Sequence, residues 1–309
     1  MYGRLKIFLF LFFVVGSSLI TYSQNKIKSF VQSGILKAKL GDYKAAMADF
    51  DMAIAMDSNE AEPYYNRGVV KSDLKDYEGA IRDFNKVVAL KPFYAEPYYN
   101  RGLAKNYLKD YLGAIKDYSK AISIKPDFPA AYLNMGLSKF DLGDYQEAMN
   151  DFSRALSYQP EYAEGLYNRG LARFNLKDYS GSIDDFDHAI RIDNSSPDYF
   201  SSRGAARAAS GSYEEAIIDF TNALNLRPND ISFLMNRALA YLYVKKYNEA
   251  VLDYSNVILL EPKNTDAFAE RGVAYQYLNK MIDACEDWKT SADLGSEKAK
   301  TYLEKYCSP

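Results

Sequence analysis

The sequence predicts an all-α fold, built as a linear array of eight similar helix pairs. The block from Ala61 to Tyr94, AEPYYNRGVVKSDLKDYEGAIRDFNKVVALKPFY, is followed by a closely similar block of 34 residues, Ala95 to Phe128. Residue types recur at this interval along most of the chain. Glycine recurs at Gly34, Gly68, Gly102, Gly136, Gly170, Gly204 and Gly272, and an aspartate–aromatic pair recurs at Asp49–Phe50, Asp83–Phe84, Asp117–Tyr118, Asp151–Phe152, Asp185–Phe186, Asp219–Phe220, Asp253–Tyr254 and Asp287–Trp288. Such a period indicates a repeat protein, in which each unit contacts mainly its neighbours.

The spacing of apolar residues within one block predicts its two helices. In the third block the apolar positions are Tyr111, Ala114, Ile115, Tyr118, Ala121 and Ile122. Polar residues fall between them, which is the pattern of a helix with one apolar stripe. The preceding segment, Pro97 to Leu108, begins with a proline, as the first turn of a helix often does. Each block therefore predicts a pair of antiparallel helices.

A short turn joins the two predicted helices of each pair. It reads Leu-Gly-Asp or Leu-Lys-Asp at 40–42, 74–76, 108–110, 142–144 and 176–178. Glycine at the middle position tolerates the left-handed conformation that a helix end needs, although three of these turns carry lysine there. The aspartate is expected to cap the second helix, and Ser212 with Glu215 is predicted to form a capping box.

These residues resemble the tetratricopeptide repeat (TPR) family. Its 34-residue unit has an aromatic residue at the fourth position, glycine at the eighth, alanine at the twentieth, an aromatic at the twenty-fourth and proline near the thirty-second. With Gly68 as an eighth position, the fourth positions are Phe30, Tyr64, Tyr98, Tyr132, Leu166, Phe200, Leu234 and Phe268, and the prolines are Pro92, Pro126, Pro160, Pro228 and Pro262. The resemblance implies a right-handed α-solenoid of eight helix-turn-helix units with a C-terminal capping helix. The units are 27–60, 61–94, 95–128, 129–162, 163–196, 197–230, 231–264 and 265–298, and the cap is 296–309.

Antiparallel helices about a short turn also bring an arginine of the first helix level with the repeated aspartate of the second. Arg67 is expected to pair with Asp83, and the same pairing follows in five further units. These pairs are Arg101–Asp117, Arg169–Asp185, Arg203–Asp219, Arg237–Asp253 and Arg271–Asp287. If such pairs are exposed, each stabilises by only ~0–1 kcal/mol. The alternative is that the arginines bind an anionic ligand.

The C-terminal segment carries the only two cysteines. In the predicted cap, Ala299, Tyr302, Leu303 and Tyr306 make an apolar stripe. Cys285 and Cys307 lie at similar distances from the turn at Leu294 and Gly295, on helices expected to be antiparallel. They could therefore meet in a disulfide, which would stabilise by roughly 3 kcal/mol in the chain-entropy model. The alternative is a buried free thiol at Cys285 and a frayed one at Cys307.

Residues 1–23 stand apart from the repeats. Arg4 and Lys6 precede an apolar run from Ile7 to Val15, and small and polar residues follow, which is the layout of a secretory signal peptide. We expect cleavage after Ser23 and an exported protein, periplasmic or secreted. The alternative is an uncleaved segment that anchors the protein in a membrane, but the apolar stretch is shorter than the ~20 residues of a membrane helix.

The remaining composition offers little material for chemistry. The net charge of −3 is near balance, so no basic surface suggests nucleic acid as a partner. His188 is the only histidine, and no cluster of residues has metal-ligand spacing. The carboxylates Asp184, Asp185 and Asp187 look paired, but Asp185 belongs to the repeated aspartates. We therefore expect no enzyme activity, no cofactor and no metal.

The resemblance implies that the first helices line a concave face whose variable positions select the ligand. Carried over by position, the candidate partner-binding residues are Glu62, Tyr65, Asn66, Val69, Glu96, Tyr99, Asn100, Leu103, Tyr107, Asn134, Glu164, Tyr167 and Asn168. Asparagine amides in a row can bond the backbone of an extended peptide, and tyrosines offer contact area at low entropy cost. Alternatively, the asparagines brace neighbouring helices.

One TPR subgroup binds the C-terminal carboxylate of chaperones through lysine, asparagine and arginine at the fifth and ninth positions. In this chain the fifth positions include Tyr65 and Tyr99, and the ninth include Val69 and Leu103, so that clamp is not expected. The sequence favours a non-catalytic scaffold that binds an unknown protein or peptide, associated with the cell envelope. Two alternatives are a glycan- or peptidoglycan-associated binding protein and a regulatory subunit of a separate enzyme.

Overall fold

A computed structural model describes residues 22–307, and over that range the chain forms seventeen helices and no strands. The first helices of the predicted pairs are α1 (22–39), α3 (Ala61–Asp73), α5 (Ala95–Tyr107), α7 (Pro129–Asp141), α9 (Ala163–Asn175), α11 (Pro197–Ala209), α13 (Ile231–Tyr243) and α15 (Thr265–Tyr277). The second helices are α2 (Tyr43–Met56), α4 (Tyr77–Leu90), α6 (Tyr111–Ile124), α8 (Tyr145–Tyr158), α10 (Tyr179–Ile192), α12 (Tyr213–Leu226), α14 (Tyr247–Leu260) and α16 (Met281–Asp293), and α17 (Glu297–Tyr306) follows them.

Consecutive helices pack against each other from α2 to α7 and again from α8 to α17, so the predicted all-α solenoid of helix pairs is confirmed. The chain divides into two compact units, a first unit that ends at Asp144 and a second that begins at Tyr145. The predicted fourth repeat, 129–162, is thereby divided, with α7 in the first unit and α8 in the second. Residues 1–21 of the predicted signal segment and the last two residues of the predicted cap lie outside the described part. Within residues 22–307, no helix combines the length and the apolar character needed to cross a membrane.

The turns within the pairs have the expected left-handed residue whether it is glycine or lysine. Gly41 and Gly143 have φ values of 81° and 84°, and Lys75, Lys109 and Lys177 have values of 63°, 61° and 64°. Backbone bonds after α3 close this turn, since Asp76 N donates to Lys71 O at 2.8 Å. A lysine in this conformation costs more than a glycine, because its Cβ approaches the following carbonyl.

The aspartate after the turn caps the second helix, as predicted. Side chains of Asp42, Asp76, Asp110 and Asp178 accept from the backbone N–H three residues later. The predicted capping box at Ser212 is wrong, because Ser212 makes no side-chain cap bond. Its ψ of 68° matches that of the aspartates, but its oxygen is one bond nearer the backbone and does not reach. Ser296, with ψ of 112°, does cap α17.

The core of each pair is an aromatic side chain from the second helix. These side chains are Phe50, Phe84, Tyr118, Phe152, Phe186, Phe220, Tyr254 and Trp288, all fully buried. The glycine of the first helix faces this ring. A Cβ at Gly68 would lie 2.8 Å from the ring of Phe84, and one at Gly102 would lie 2.6 Å from Tyr118. The repeated glycine is therefore required by close packing of the two helices.

The predicted arginine–aspartate pairs are confirmed in all six repeats for which they were predicted. Arg101 Nε donates to Asp117 Oδ2 at 2.9 Å and Nη2 to Oδ1 at 2.5 Å, and the same two-bond geometry recurs in the other pairs. The aspartates are buried, so these pairs are not the weak exposed kind. The remaining Nη1 reaches back to a polar residue of the preceding second helix. Those residues are Asp51, Asn85, Ser153, Asp187, Thr221 and Ser255. With its donors engaged in this way, each arginine joins adjacent repeats, so the pairs favour a structural role over anion binding.

At the C-terminal end, α17 packs on α16. Cys285 and Cys307 form a disulfide, with their Cα atoms 5.9 Å apart. Ala299 is fully buried, and Tyr302, Leu303 and Tyr306 pack against Trp288 and its neighbours.

Candidate functional site

A cavity of about 520 Å³ lies in the first unit between the start of α3 and the loop after α4. We call it the loop cavity, and its lining residues are Ala61, Glu62, Tyr65, Asn66, Lys91, Phe93 and Tyr94. The rings of Tyr65 and Tyr94 lie 5.6 Å apart and form one wall. Phe93 is 84% exposed, which is unusual for so large an apolar side chain. The loop cavity thus combines aromatic surface with a carboxylate, an amide and an amine.

A second cavity, of about 400 Å³, follows the loop cavity along α3. We call it the first tyrosine cavity, and it is lined by Val69, Ser72, Asp73, Lys75, Tyr77, Phe84, Asn100, Leu103, Ala104 and Tyr107. The rings of Tyr77 and Tyr107 stack, with centroids 4.7 Å apart and planes 6° from parallel. Tyr107 remains 66% exposed, so this stacked wall is open to a ligand.

The second unit contains a cavity built from equivalent positions four repeats further along the chain. This second tyrosine cavity, of about 370 Å³, is lined by Ala205, Ala208, Ala209, Tyr213, Phe220, Asn236, Leu239, Ala240 and Tyr243. Its tyrosines stack in the same way, with centroids of Tyr213 and Tyr243 4.3 Å apart. Where the first cavity has Ser72 and Asp73, this one has Ala208 and Ala209, so its lining carries no charged side chain.

Tyrosine hydroxyls connect successive first helices. Asn100 Nδ2 donates to the hydroxyl of Tyr65 at 3.0 Å, and Asn134 Nδ2 donates to that of Tyr99 at 3.2 Å. In the second unit, Ser202 makes a longer contact of the same kind with Tyr167, at 3.4 Å. These bonds join residues 35 positions apart, one repeat plus one residue. The asparagines therefore brace neighbouring helices, which was one of the two roles that the sequence allowed.

Burial changes the acidity of the tyrosines around the loop cavity. It raises the pKa of Tyr65 above its usual value, and the hydrogen bond from Asn100 offsets part of that rise. Burial likewise raises the pKa of Tyr94 to about 12, with added repulsion from the neighbouring Tyr65 and Glu96. Both phenols are therefore neutral hydrogen-bonding groups at ordinary pH.

The structure brings together seven of the candidate residues in the first unit. Glu62, Tyr65 and Asn66 line the loop cavity, and Val69, Asn100, Leu103 and Tyr107 line the first tyrosine cavity. The other candidates of this unit make structural contacts. Glu96 pairs with Lys125 at 3.6 Å, and Tyr99 is the hydroxyl partner of Asn134.

Glu164, Tyr167 and Asn168 belong to the second unit and line none of these three cavities. Glu164 accepts a bond from the Tyr162 hydroxyl at 2.6 Å, and Asn168 is buried. Sequence reasoning missed Lys91, Phe93 and Tyr94 in the loop cavity, because it considered only the first helices. Two aromatic residues directly after Pro92, at a predicted loop, are the signal that could have identified them.

The other titratable groups that the sequence singled out contact charged side chains of the protein itself. His188 Nε2 lies 3.5 Å from Glu161 Oε1. Asp185 accepts bonds from Arg169 and Arg173, and Asp187 accepts one from Arg203. Over residues 22–307, no three His, Cys, Asp or Glu side chains are grouped to hold a metal ion.

Comparison with known proteins identifies the repeat. A family model described as tetratricopeptide repeat matches residues 133–197, and one described as TPR repeat matches residues 72–106 and 105–141. A search of the curated proteins found no match to the sequence. The family models thus match the central repeats, which contain most of the first tyrosine cavity.

Solved structures of TPR proteins share the fold. The C-terminal part of a TPR repeat-containing protein from Cytophaga hutchinsonii is similar with a TM-score of 0.67 and 22% identity, over 77% of this chain and 99% of that chain. For a tetratricopeptide repeat protein from Parabacteroides merdae the values are 0.59 and 21%, over 80% and 99%. For YrrB, described as a TPR protein with an unusual peptide-binding site, they are 0.55 and 21%, over 61% and 97%. At these identities the likeness shows the fold alone.

Proposed function

We propose that this chain, a member of the tetratricopeptide repeat family, is a non-catalytic scaffold that binds an extended segment of a partner protein on α3 and α5. The TPR fold itself supports a role in protein–protein interaction. The observation that carries the finer proposal is the pair of cavities that follow one another along α3. Seven residues selected from the sequence as partner-binding line these two cavities.

The shape of this surface suits an extended peptide. The loop cavity and the first tyrosine cavity can each accept one side chain of a segment that lies along α3. Exposed tyrosine rings provide contact area with little loss of side-chain entropy, as they do in other peptide-binding surfaces. YrrB, which shares the fold, is described as having a peptide-binding site, and this also motivates the proposal.

Charged groups at the loop cavity remain available for a ligand. At equivalent positions in later repeats, Lys125 pairs with Glu96, and Arg227 pairs with Asp198 at 3.1 Å. Among the described residues, neither Glu62 nor Lys91 forms an ion pair, and both line the loop cavity instead. A partner segment could therefore satisfy these two charges at the rim while its apolar side chains contact the rings.

Site-specific photo-crosslinking tests this proposal. A benzophenone amino acid is placed at position 62 or 107 of the full chain, with controls at Arg82 and Lys116, which are exposed on second helices. We expect both cavity positions to capture the same partner and both controls to capture none of it. The partner is then purified and its affinity measured against the unlabelled protein.

A variant that fills the first tyrosine cavity makes the test specific. Ser72→Leu with Asp73→Tyr introduces the residues that stand at equivalent positions in a later repeat, Leu242 and Tyr243, so the fold accommodates them. The partner should bind at least tenfold more weakly, a loss of about 1.4 kcal/mol. Equal capture at the control positions, or an unchanged affinity of the filled variant, would place the interface elsewhere.

A glycan is the second candidate ligand, and Phe93 favours it. An exposed ring beside the carboxylate, amide and amine of Glu62, Asn66 and Lys91 could stack on a sugar face and bond its hydroxyls. Retention of the purified protein on peptidoglycan, lost in Phe93→Ala and kept in Ser72→Leu/Asp73→Tyr, would support this reading. Retention that is unchanged in Phe93→Ala would exclude the loop cavity as the glycan site.

We further propose that the protein is exported and works in the cell envelope, on the strength of the signal-like residues 1–23. Amino-terminal sequencing of the protein from fractionated cells should begin at Gln24 in the periplasmic or secreted fraction. A chain that keeps Met1 and sediments with membranes would instead support an uncleaved anchor.

A further inference from the structure

The last described helix, α17, covers a buried tryptophan. Trp288 of α16 has no solvent exposure, and its ring lies 5.1 Å from that of Tyr302 and 5.7 Å from that of Tyr306. Its Nε1 donates to Ala269 O at 3.0 Å. Trp288 is the only tryptophan in the sequence. The burial of this one side chain therefore reports directly on whether α17 is in place.

The helix that packs over Trp288 is shorter and less supported than the helices that pack over the equivalent rings of other repeats. Phe220, two repeats earlier, packs against Ala240 of α13, a 13-residue helix that itself pairs with α14. In contrast, α17 has only 10 residues and lies mainly on α16, while α15 adds the side-chain contacts Glu270–Lys298 and Gln276–Tyr306. A helix shorter than ~12–15 residues is marginal in water without tertiary support. Its attachment at the two ends therefore decides whether it stays.

Those two attachments differ in kind. At the N-terminal end, the turn after α16 is fixed by Ser296 N donating to Ser291 O at 3.0 Å, and the Ser296 side chain caps α17. At the C-terminal end, Cys307 directly follows the helix and is bonded to Cys285 of α16. Lys298 adds an ion pair with Glu270, but its side chain is half exposed. The disulfide is thus the one covalent attachment of the far end.

We infer that the Cys285–Cys307 disulfide is a redox-operated clamp, which holds α17 over Trp288 when oxidised and releases it when reduced. Both cysteines are only half buried. They line an open cavity of about 550 Å³ beside Ile282, which is 79% exposed. A reductant can therefore reach the bond while α17 is still in place.

The chemical step is a thiol–disulfide exchange with a dithiol reductant. One thiolate of the reductant attacks a sulfur of the disulfide, and the other cysteine leaves as a thiolate. The second thiol of the reductant then attacks the mixed disulfide and frees the first cysteine. Two electrons and two protons pass to the protein, so Cys285 and Cys307 become thiols and the reductant becomes a disulfide.

Release of α17 exposes an apolar surface at the end of the second unit. When α17 leaves, its residues Ala299, Tyr302 and Leu303 no longer cover Ala284 and Trp288. In the other repeats, the following first helix covers the residues at these positions. Reduction thereby converts a closed end of the second unit into one that can accept another helix.

Hydrogen exchange on the full protein tests the clamp. Dithiothreitol is the probe, and the amides of α17 are compared with those of α13 before and after reduction. Loss of the cross-link, whose two cysteines are 22 residues apart, should raise the exchange rate of the α17 amides on the order of a hundredfold and leave that of the α13 amides unchanged. Equal exchange of α17 in both redox states would overturn the inference, as would loss of protection in α13, because the device is local.

Tryptophan fluorescence provides the second readout. Reduction should shift the emission of Trp288 to longer wavelength and increase its quenching by acrylamide, and reoxidation should restore both. The variant Cys285→Ser/Cys307→Ser should behave as the reduced protein with or without dithiothreitol. If this variant does not fold, the reduced wild-type chain still provides the measurement. Emission that does not respond to dithiothreitol would contradict the inference.

Discussion

The two tyrosine cavities are built on the same frame but have different linings. Each is bounded by a stacked tyrosine pair and an asparagine, and each rests on a buried phenylalanine. The first carries Ser72, Asp73 and Lys75 where the second has Ala208, Ala209 and Gly211. The repeat therefore supplies the cavity, and a few positions at the end of one helix and in the turn supply its chemistry.

The largest expected effect comes from breaking the ion pair that lies beside the second cavity. Asp253 is 2% exposed, and Arg237 is its only side-chain hydrogen-bond partner among the described residues, with Nε and Nη2 both at 2.8 Å. Arg237→Ala leaves a buried charge uncompensated and should lower the free energy of unfolding by about 3–5 kcal/mol. Urea unfolding followed by circular dichroism measures the loss.

The equivalent change beside the first cavity is the matched control. Asp117 loses Arg101 but keeps Lys105 at 2.7 Å, so Arg101→Ala should cost only about 1–3 kcal/mol. Equal losses for the two variants would show that the second cation contributes nothing.

A smaller effect, of opposite sign, is expected in the core beside the first cavity. The buried hydroxyl of Tyr118 has no hydrogen-bond partner among the described residues, and the equivalent position in five other pairs is phenylalanine. Tyr118→Phe should therefore raise the free energy of unfolding by about 1 kcal/mol, because the folded protein then no longer buries a hydroxyl group that has given up its hydrogen bonds to water. Thermal unfolding measures the gain, and a lower midpoint would mean that the hydroxyl has a partner, such as an ordered water.

The turn residue that distinguishes the cavities should have a smaller effect still. Lys75 has φ of 63°, whereas Gly211 occupies the equivalent position with φ of 90°. Lys75→Gly removes the strain of a left-handed lysine but adds freedom to the unfolded chain, so we expect a net gain below about 1 kcal/mol. The reverse change, Gly211→Lys, should lose a similar amount in the same unfolding assay. A loss in both variants would show that Lys75 makes a favourable contact.

The effect that is smallest at neutral pH concerns only the loop cavity of the first unit, because it appears only in alkaline solution. Burial raises the pKa of Tyr94 to about 12 from the ordinary value of 10.0, so the folded protein holds this proton more tightly than the unfolded chain. The resulting stability is complete below about pH 10 and falls as the pH rises towards 12. Tyr94→Phe should flatten the loss of stability between pH 10 and pH 12, measured by urea unfolding, and an unchanged slope would show that Tyr94 is not its source.

Local pattern predicted much of the fold but not all of its contacts. The turn glycines, the capping aspartates and the six arginine–aspartate pairs follow from residues within one repeat, and the structure confirms them. The capping box at Ser212 failed because the serine side chain is shorter than that of aspartate and does not reach the N–H group at the backbone angle that this turn imposes, which the sequence does not show. The hydroxyl groups that accept from Asn100 and Asn134 were left open because they lie in the preceding repeat.

The sequence by itself determined the period, the helix pairs and the residues that join them, because each repeat specifies its own short-range contacts and eight copies make the pattern unambiguous. Only the tertiary structure decided which polar side chains brace neighbouring helices and which face a cavity. It also placed Lys91, Phe93 and Tyr94 beside α3 and seated α17 on Trp288. These outcomes depend on the packing of side chains from different repeats, and the residue types at single positions do not specify that packing.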